Sequence, residues 1–212
     1  MQRATILLVA VMIAVALVVL ANAMATTPAD AATRATKVVT KTFSNNQQIL
    51  IPAGAPAVTS GAAAPYPSER NVQGFDQGRV RDVNLTLKNF SHTFPNDVDV
   101  LLSKKGKTRT VMSDVGGSTD ANNITIKLDD EAANSLPDNG PLVGGSFRPT
   151  NVGGGDTFPA PTPTPSAQSA LSGFDGVNPN GTWKLRVVDD AGGDVGQFAG
   201  GWSITIKARV QQ

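Results

Sequence analysis

The sequence predicts an all-β protein of sandwich or barrel type, and three observations carry that prediction. In segment after segment, apolar residues recur at every second position, the period of a strand with one buried face. Glycine and proline, 21 and 14 of 212 residues, supply turns at a frequency that suits a β-protein and not a helical one. Only one short stretch, Asp129 to Leu136 (DDEAANSL), has a helical composition, enough for one or two turns before Pro137 stops it.

The first segment in chain order lies outside this fold. Met1-Gln2-Arg3 is a short positive start, Ala4 to Leu20 is an uninterrupted apolar run, and Ala21-Asn22-Ala23 fits a small-x-small cleavage pattern. Together they predict a secretory signal peptide over residues 1–23 and a secreted, extracellular product. The alternative is an uncleaved anchor, for which the run is at the short edge. Met24 to Thr36 is small, polar and alanine-rich and reads as a flexible linker, leaving residues 37–212 for the domain.

Within the domain, KVVTKTF and QILIP are short and β-rich. Val83, Leu85 and Leu87 alternate with Asn84, Thr86 and Lys88 inside a strand over Val80 to Phe90. Asp97 to Leu102 and Thr108 to Met112 follow, and the Gly of KKGK (Lys104 to Lys107) marks a solvated hairpin tip between them. Ile124, Ile126 and Leu128 share a face. Trp183, Leu185 and Val187 share another, as do Trp202, Ile204 and Ile206, so the two tryptophans are expected to be buried on facing strands. Pro137 to Ser169 is long and irregular. Its alternating prolines, Pro159 to Pro165, favour an extended polyproline course. The segment after Ala170 is too short to fold alone, so this stretch reads as a loop within one domain.

The formal net charge is +1, and removal of residues 1–23 takes away Arg3 and no acid, leaving a neutral mature chain. Neutral, unpatterned charge argues against nucleic acid or an anionic membrane as the main partner. No cysteine is present, which removes thiol catalysis, thiolate metal sites and disulfides. A single histidine, His92, lies in SHTFP. A Ser-His-Asp triad must use it, yet no G-x-S-x-G elbow accompanies it, and a zinc hydrolase usually needs at least two histidines. The chain is therefore read as non-catalytic, with His92 a structural residue at a strand end.

Acidic turns offer different chemistry. VVDDAGGDVG (Val187 to Gly196) carries Asp189, Asp190 and Asp194 among glycines, NDVDV carries Asp97 and Asp99, and SDVGG carries Asp114. Calcium takes six to eight oxygen ligands, and glycine-rich loops let backbone carbonyls turn inward. These six aspartates are the candidate calcium ligands, although their spacing is not that of an EF-hand. The competing reading is that Asp and Gly simply make β-turns, with Asp99, between Val98 and Val100, a buried carboxylate satisfied by backbone donors.

Three blocks, SHTFPNDVDVLL (Ser91 to Leu102), VMSDVGG (Val111 to Gly117) and FDGVNPNGTWKLRVVDDAGGDVGQFAGGWSITI (Phe174 to Ile206), resemble the P domain, or Homo B domain, that follows the catalytic domain of subtilisin-like proprotein convertases. The intervening SFRPTN…GDTFPAP is similar to bacterial versions. The resemblance runs from about Thr42 to Val210, and SKKGKTRT departs from the family's serine/proline-rich hairpin. It implies a jelly-roll-like β-sandwich of about eight strands, free-standing and secreted. Its implied role is to bind or stabilise a partner, most naturally a secreted subtilisin-like serine protease encoded separately. The alternative is a surface adhesion or carbohydrate-binding module on the same sandwich. A monomer is expected, with no membrane contact once the signal is cleaved.

Overall fold

A computed structural model describes residues 34–212, so the expected signal peptide and nearly all of the expected linker lie outside the described residues. Residues 34–212 form one compact unit in which two sheets pack face to face as a β-sandwich. The first sheet is ordered β1 (Thr36–Asn45), β13 (Trp202–Gln211), β5 (Arg79–His92), β12 (Gly196–Phe198), β2 (Ile49–Ile51). On the other side of β5 it adds β8 (Ala121–Leu128) and β9 (Gly145–Phe147). β5 is the long central strand. It pairs with β13 over its first part, with β12 at its end, and with β8 along its far edge. The second sheet is ordered β10 (Thr150–Asn151), β7 (Lys107–Ser113), β6 (Val98–Lys104), β11 (Gly181–Asp189), and β11 pairs on its outer side with β3 (Gly61–Ala62) and β4 (Ser68–Val72). Pairing is antiparallel except for β8–β9 and β10–β7.

Period two sends alternate residues inward. Val98, Val100 and Leu102 of β6 and Trp183, Leu185 and Val187 of β11 meet Leu85, Leu87, Ile204 and Ile206 of the first sheet in one core. Both tryptophans are fully buried, on opposite sheets as expected. Each keeps its indole N–H satisfied, Trp183 donating to the Pro179 carbonyl (2.9 Å) and Trp202 to Ser68 Oγ (2.9 Å). The β6–β7 hairpin turns on Lys105 and Gly106, both at positive φ (47° and 81°), which matches the twist of the flanking strands.

Three expectations need correction. Among the described residues the strand segments number thirteen, because the expected strands are joined by short ones of two to five residues, most of them at sheet edges. Asp97 is not on the strand with Asp99: it ends a 3-10 turn, Pro95–Asp97, and β6 starts at Val98. DDEAANSL forms a turn and no helix. Asp129 Oδ1 accepts the Glu131 N–H, and Arg148 takes the Ala132 and Ala133 carbonyls that a helix would use. Asp130 meanwhile accepts the backbone N–H groups of Leu171 and Ser172.

The long stretch expected to be irregular supplies β9 and β10 in its first half, and from Asp156 onward it is a strap across the outer face of the second sheet. Tyr66 Oη donates to the Pro159 carbonyl, Arg186 to Pro161, Thr108 to Thr164 and Thr110 to Ser166, at 2.8–3.0 Å. On this face Leu101, an outward-pointing residue of β6 that the inner core does not include, is fully buried.

Candidate metal centre

The strap begins at Asp156, which brings the acidic segments into one place. Asp99 points outward from β6, only 1% exposed. Asp114 follows β7 at φ 52°, a left-handed conformation that Asp tolerates better than most residues. Asp156 arrives from the loop after β10, whose Asn151 pairs with Ser113 of β7. Gly153, Gly154 and Gly155, all at positive φ, turn the chain back so that Asp156 faces β7. One carboxylate oxygen from each of Asp99, Asp114 and Asp156 lies within 4.8 Å of the other two.

The hydrogen bonding of this trio is incomplete. Ser113 Oγ lies 3.1 Å from Asp114 Oδ2 and 2.9 Å from Asp156 Oδ1, one hydroxyl proton between two carboxylates. Asn151 Nδ2 donates to Asp156 Oδ2 (3.2 Å) and to the Ala167 carbonyl, while its own Oδ1 is buried without a partner. Both oxygens of Asp99 are buried without a partner. Burial pushes the Asp99 carboxyl up to about 8, helped by the charges of Asp156, Asp190 and Asp114. The nearby Ser113 hydroxyl opposes that rise, yet its hydrogen bonds go to the other two aspartates. Asp114 is raised too, first by burial and then by Asp156.

These features fit a calcium ion. The donor set is all oxygen, the charge is excess negative, and the buried carboxylate lacks the backbone donors that a purely structural Asp99 requires. Asp99, Asp114 and Asp156 would hold the ion, with Asn151 Oδ1 the adjoining neutral oxygen. Asp190, just past the end of β11, adds negative charge from the side: its carboxyl is raised by partial desolvation and by Asp114 and Asp189.

The remaining candidates form a neighbouring group. Asp189, fully buried, pairs with His92 Nε2 at 3.1 Å, and its Oδ1 is unpartnered. Asp97 is lifted to about 6 by burial and by the charges of Asp189, Asp190 and Asp194. The Asp190 N–H donates to the Asp97 carbonyl (3.0 Å), joining the two acidic groups. Asp97, Asp189 and Asp194 are not among the carboxylates converging on the trio. His92 Nδ1 sits against the Phe94 backbone, 2.9 Å from its carbonyl and 3.2 Å from its N–H, so both ring nitrogens are engaged and neither faces a hydroxyl. Asp156 is the residue that sequence reasoning missed; the GGGD pattern before it has the same make-up as the acidic turns that were singled out.

Among the described residues no helix is long and apolar enough to cross a membrane. The chain matches no family model, no curated protein and no solved structure.

Proposed function

We propose that the chain is a secreted, non-catalytic β-sandwich module of the P-domain type that takes up calcium and acts by binding and stabilising a protein partner, expected to be a secreted subtilisin-like serine protease. The observation that carries the calcium part is Asp99, a buried carboxylate with two unpartnered oxygens that faces two further carboxylates. A fold that keeps such a cluster is short of positive charge until a cation supplies it. The three sequence blocks that resemble a P domain also meet at this end of the sandwich: Asp97 and Asp99, Asp114, and Asp189 to Asp194 affect one another's carboxyls. Burial of both tryptophans favours a protein partner over a carbohydrate, since sugar sites usually need an exposed stacking ring.

The test is calorimetric titration of the purified mature chain with calcium and with magnesium, beside affinity capture from the culture medium of its source. Saturable calcium binding lost in Asp99→Asn and Asp156→Asn supports the metal reading, and recovery of a serine protease supports the partner. Magnesium is expected to bind weakly because it demands a tight octahedral shell and dehydrates reluctantly. Equal heats from parent and variants overturn the metal reading.

A further inference from the structure

A groove of about 610 Å³ runs along the outer face of the second sheet, away from the acidic trio. Ser103 of β6 and Lys184 and Arg186 of β11 line its base, Pro161 and Pro163 of the strap form one wall, and the hairpin tip at Lys105 closes one end. Its size lies within the range of about 300–1,000 Å³ usual for ligand sites.

The charges along it do not balance. Glu69 is its one acid, and Lys184 Nζ already holds Glu69 at 2.7 Å. Arg186 is 3% exposed, yet its guanidinium meets only neutral acceptors, Ser103 Oγ (2.8 Å) and the Pro161 carbonyl (2.8 Å). Its Nε is buried without a partner, and among the described residues no carboxylate pairs with it. Pinning the strap needs only those two neutral hydrogen bonds. It does not need a full buried charge, whose desolvation is costly unless an anion offsets it. Lys104 of β6, also a buried cation, differs: it donates to the Asn180 carbonyl (2.6 Å) and lies over the Trp183 ring (5.5 Å).

We propose that this groove binds an extended peptide segment of a protein partner, with an Asp or Glu side chain of that segment pairing with Arg186 and Lys105. The inference rests on the reading of the chain as a partner-binding module and names the surface and the chemistry of the partner. The lining favours a peptide over a sulfated glycan or nucleic acid. Glu69 repels a continuous polyanion, the prolines offer apolar contact, and the exposed Thr182 hydroxyl is free to meet a peptide N–H or C=O group. A guanidinium pairs with a carboxylate in two parallel bonds, which gives orientation as well as affinity.

The experiment is fluorescence anisotropy on the calcium-saturated mature chain with three probes. The first is a blocked, labelled Ala/Pro peptide carrying one Asp-Glu pair, the second its Asn-Gln counterpart, and the third a heparin-derived hexasaccharide. Saturable binding of the acidic peptide alone is expected. Arg186→Gln keeps neutral hydrogen bonds for the strap and should weaken that binding by about thirtyfold or more, the lower range for a buried charge partner. Lys105→Gln, at the exposed tip, leaves the fold unchanged and should weaken it severalfold with a shallower salt dependence, which keeps the test valid if Arg186→Gln melts. Equal binding of the Asn-Gln peptide, preferential binding of the hexasaccharide, or no response to either substitution overturns the proposal. Asp99→Asn separates the two readings: peptide binding that survives it while calcium binding is lost leaves the groove standing without the metal. A calcium response with no peptide binding in the parent removes the groove alone.

Discussion

Asp99→Asn should make the calcium-free protein more stable and the calcium-loaded protein less stable than the parent. The parent carboxyl titrates near 8 in the fold against 3.8 in the open chain. At pH 7 it is therefore ionised when unfolded and neutral when folded. A group whose folded pKa is raised contributes stability that is fully present below the unfolded pKa and is lost as pH rises through the folded one. Each unit is worth about 1.4 kcal/mol, so the loss at pH 7 is roughly 4 kcal/mol, an upper value because the empty site relaxes and hydrates. Asparagine never ionises, and its amide can donate to Asp114 and Asp156. In chelator the variant should melt roughly 5–15 °C above the parent at pH 7, from 2–4 °C per kcal/mol for a chain of this size. The gap should close towards pH 4. In calcium the order reverses, since the parent gains about 2.7 kcal/mol at a hundred times Kd and the variant gains little. Differential scanning calorimetry over pH 4–9, with chelator and with calcium, reads both arms. A variant that melts below the parent in chelator at pH 7, or that keeps the parent's calcium shift, refutes the reasoning.

The other outcomes concern the core and the neighbouring charges. Trp183→Ala and Trp202→Ala should each cost roughly 3–5 kcal/mol in urea unfolding, because each empties a fully buried site. Asp189→Asn should cost about 1–3 kcal/mol by weakening the buried bond to His92 and leave the calcium shift in place, whereas Asp156→Asn should abolish that shift. Burial lowers the Lys104 ammonium to about 8 from 10.5. The open chain then binds more protons between those values, so stability should rise as pH climbs from 8 towards 10, and Lys104→Met should flatten that rise.

Much of the sandwich was legible because its strands alternate strictly. Val83, Leu85 and Leu87, or Trp202, Ile204 and Ile206, cannot place one face inward in any register but their own. The KKGK hairpin was legible because only a turn with positive φ uses Lys-Gly in that way, although burial of Lys104 was not: it depends on Trp183 and Asn180, nearly eighty residues away. The failed helix shows the reverse. Its composition was correct for a helix, but Arg148 and the Leu171 turn claimed its polar groups. Of the acidic trio, Asp99 and Asp114 stood out beside strands. Asp156 did not, because its place depends on the pairing of β10 with β7 and on the strap that follows, neither of which has a periodic signal.

The strap would also give a bound calcium ion reach beyond its own ligands. It is tied to the sheet at intervals by Tyr66, Arg186, Thr108 and Thr110, and at its leading end by the Ser113 hydroxyl, which donates to Asp156. Regions held by few contacts open locally at less free energy than the whole domain. An ion that grips Asp156 together with Asp99 and Asp114 adds its binding energy to the cost of lifting that end. Amides beneath the strap, such as that of Leu101, should then exchange with solvent more slowly as calcium rises, while those of the distant β1–β13 pair keep their pace. The same ion would thereby govern how long the groove beside Pro161 keeps its wall.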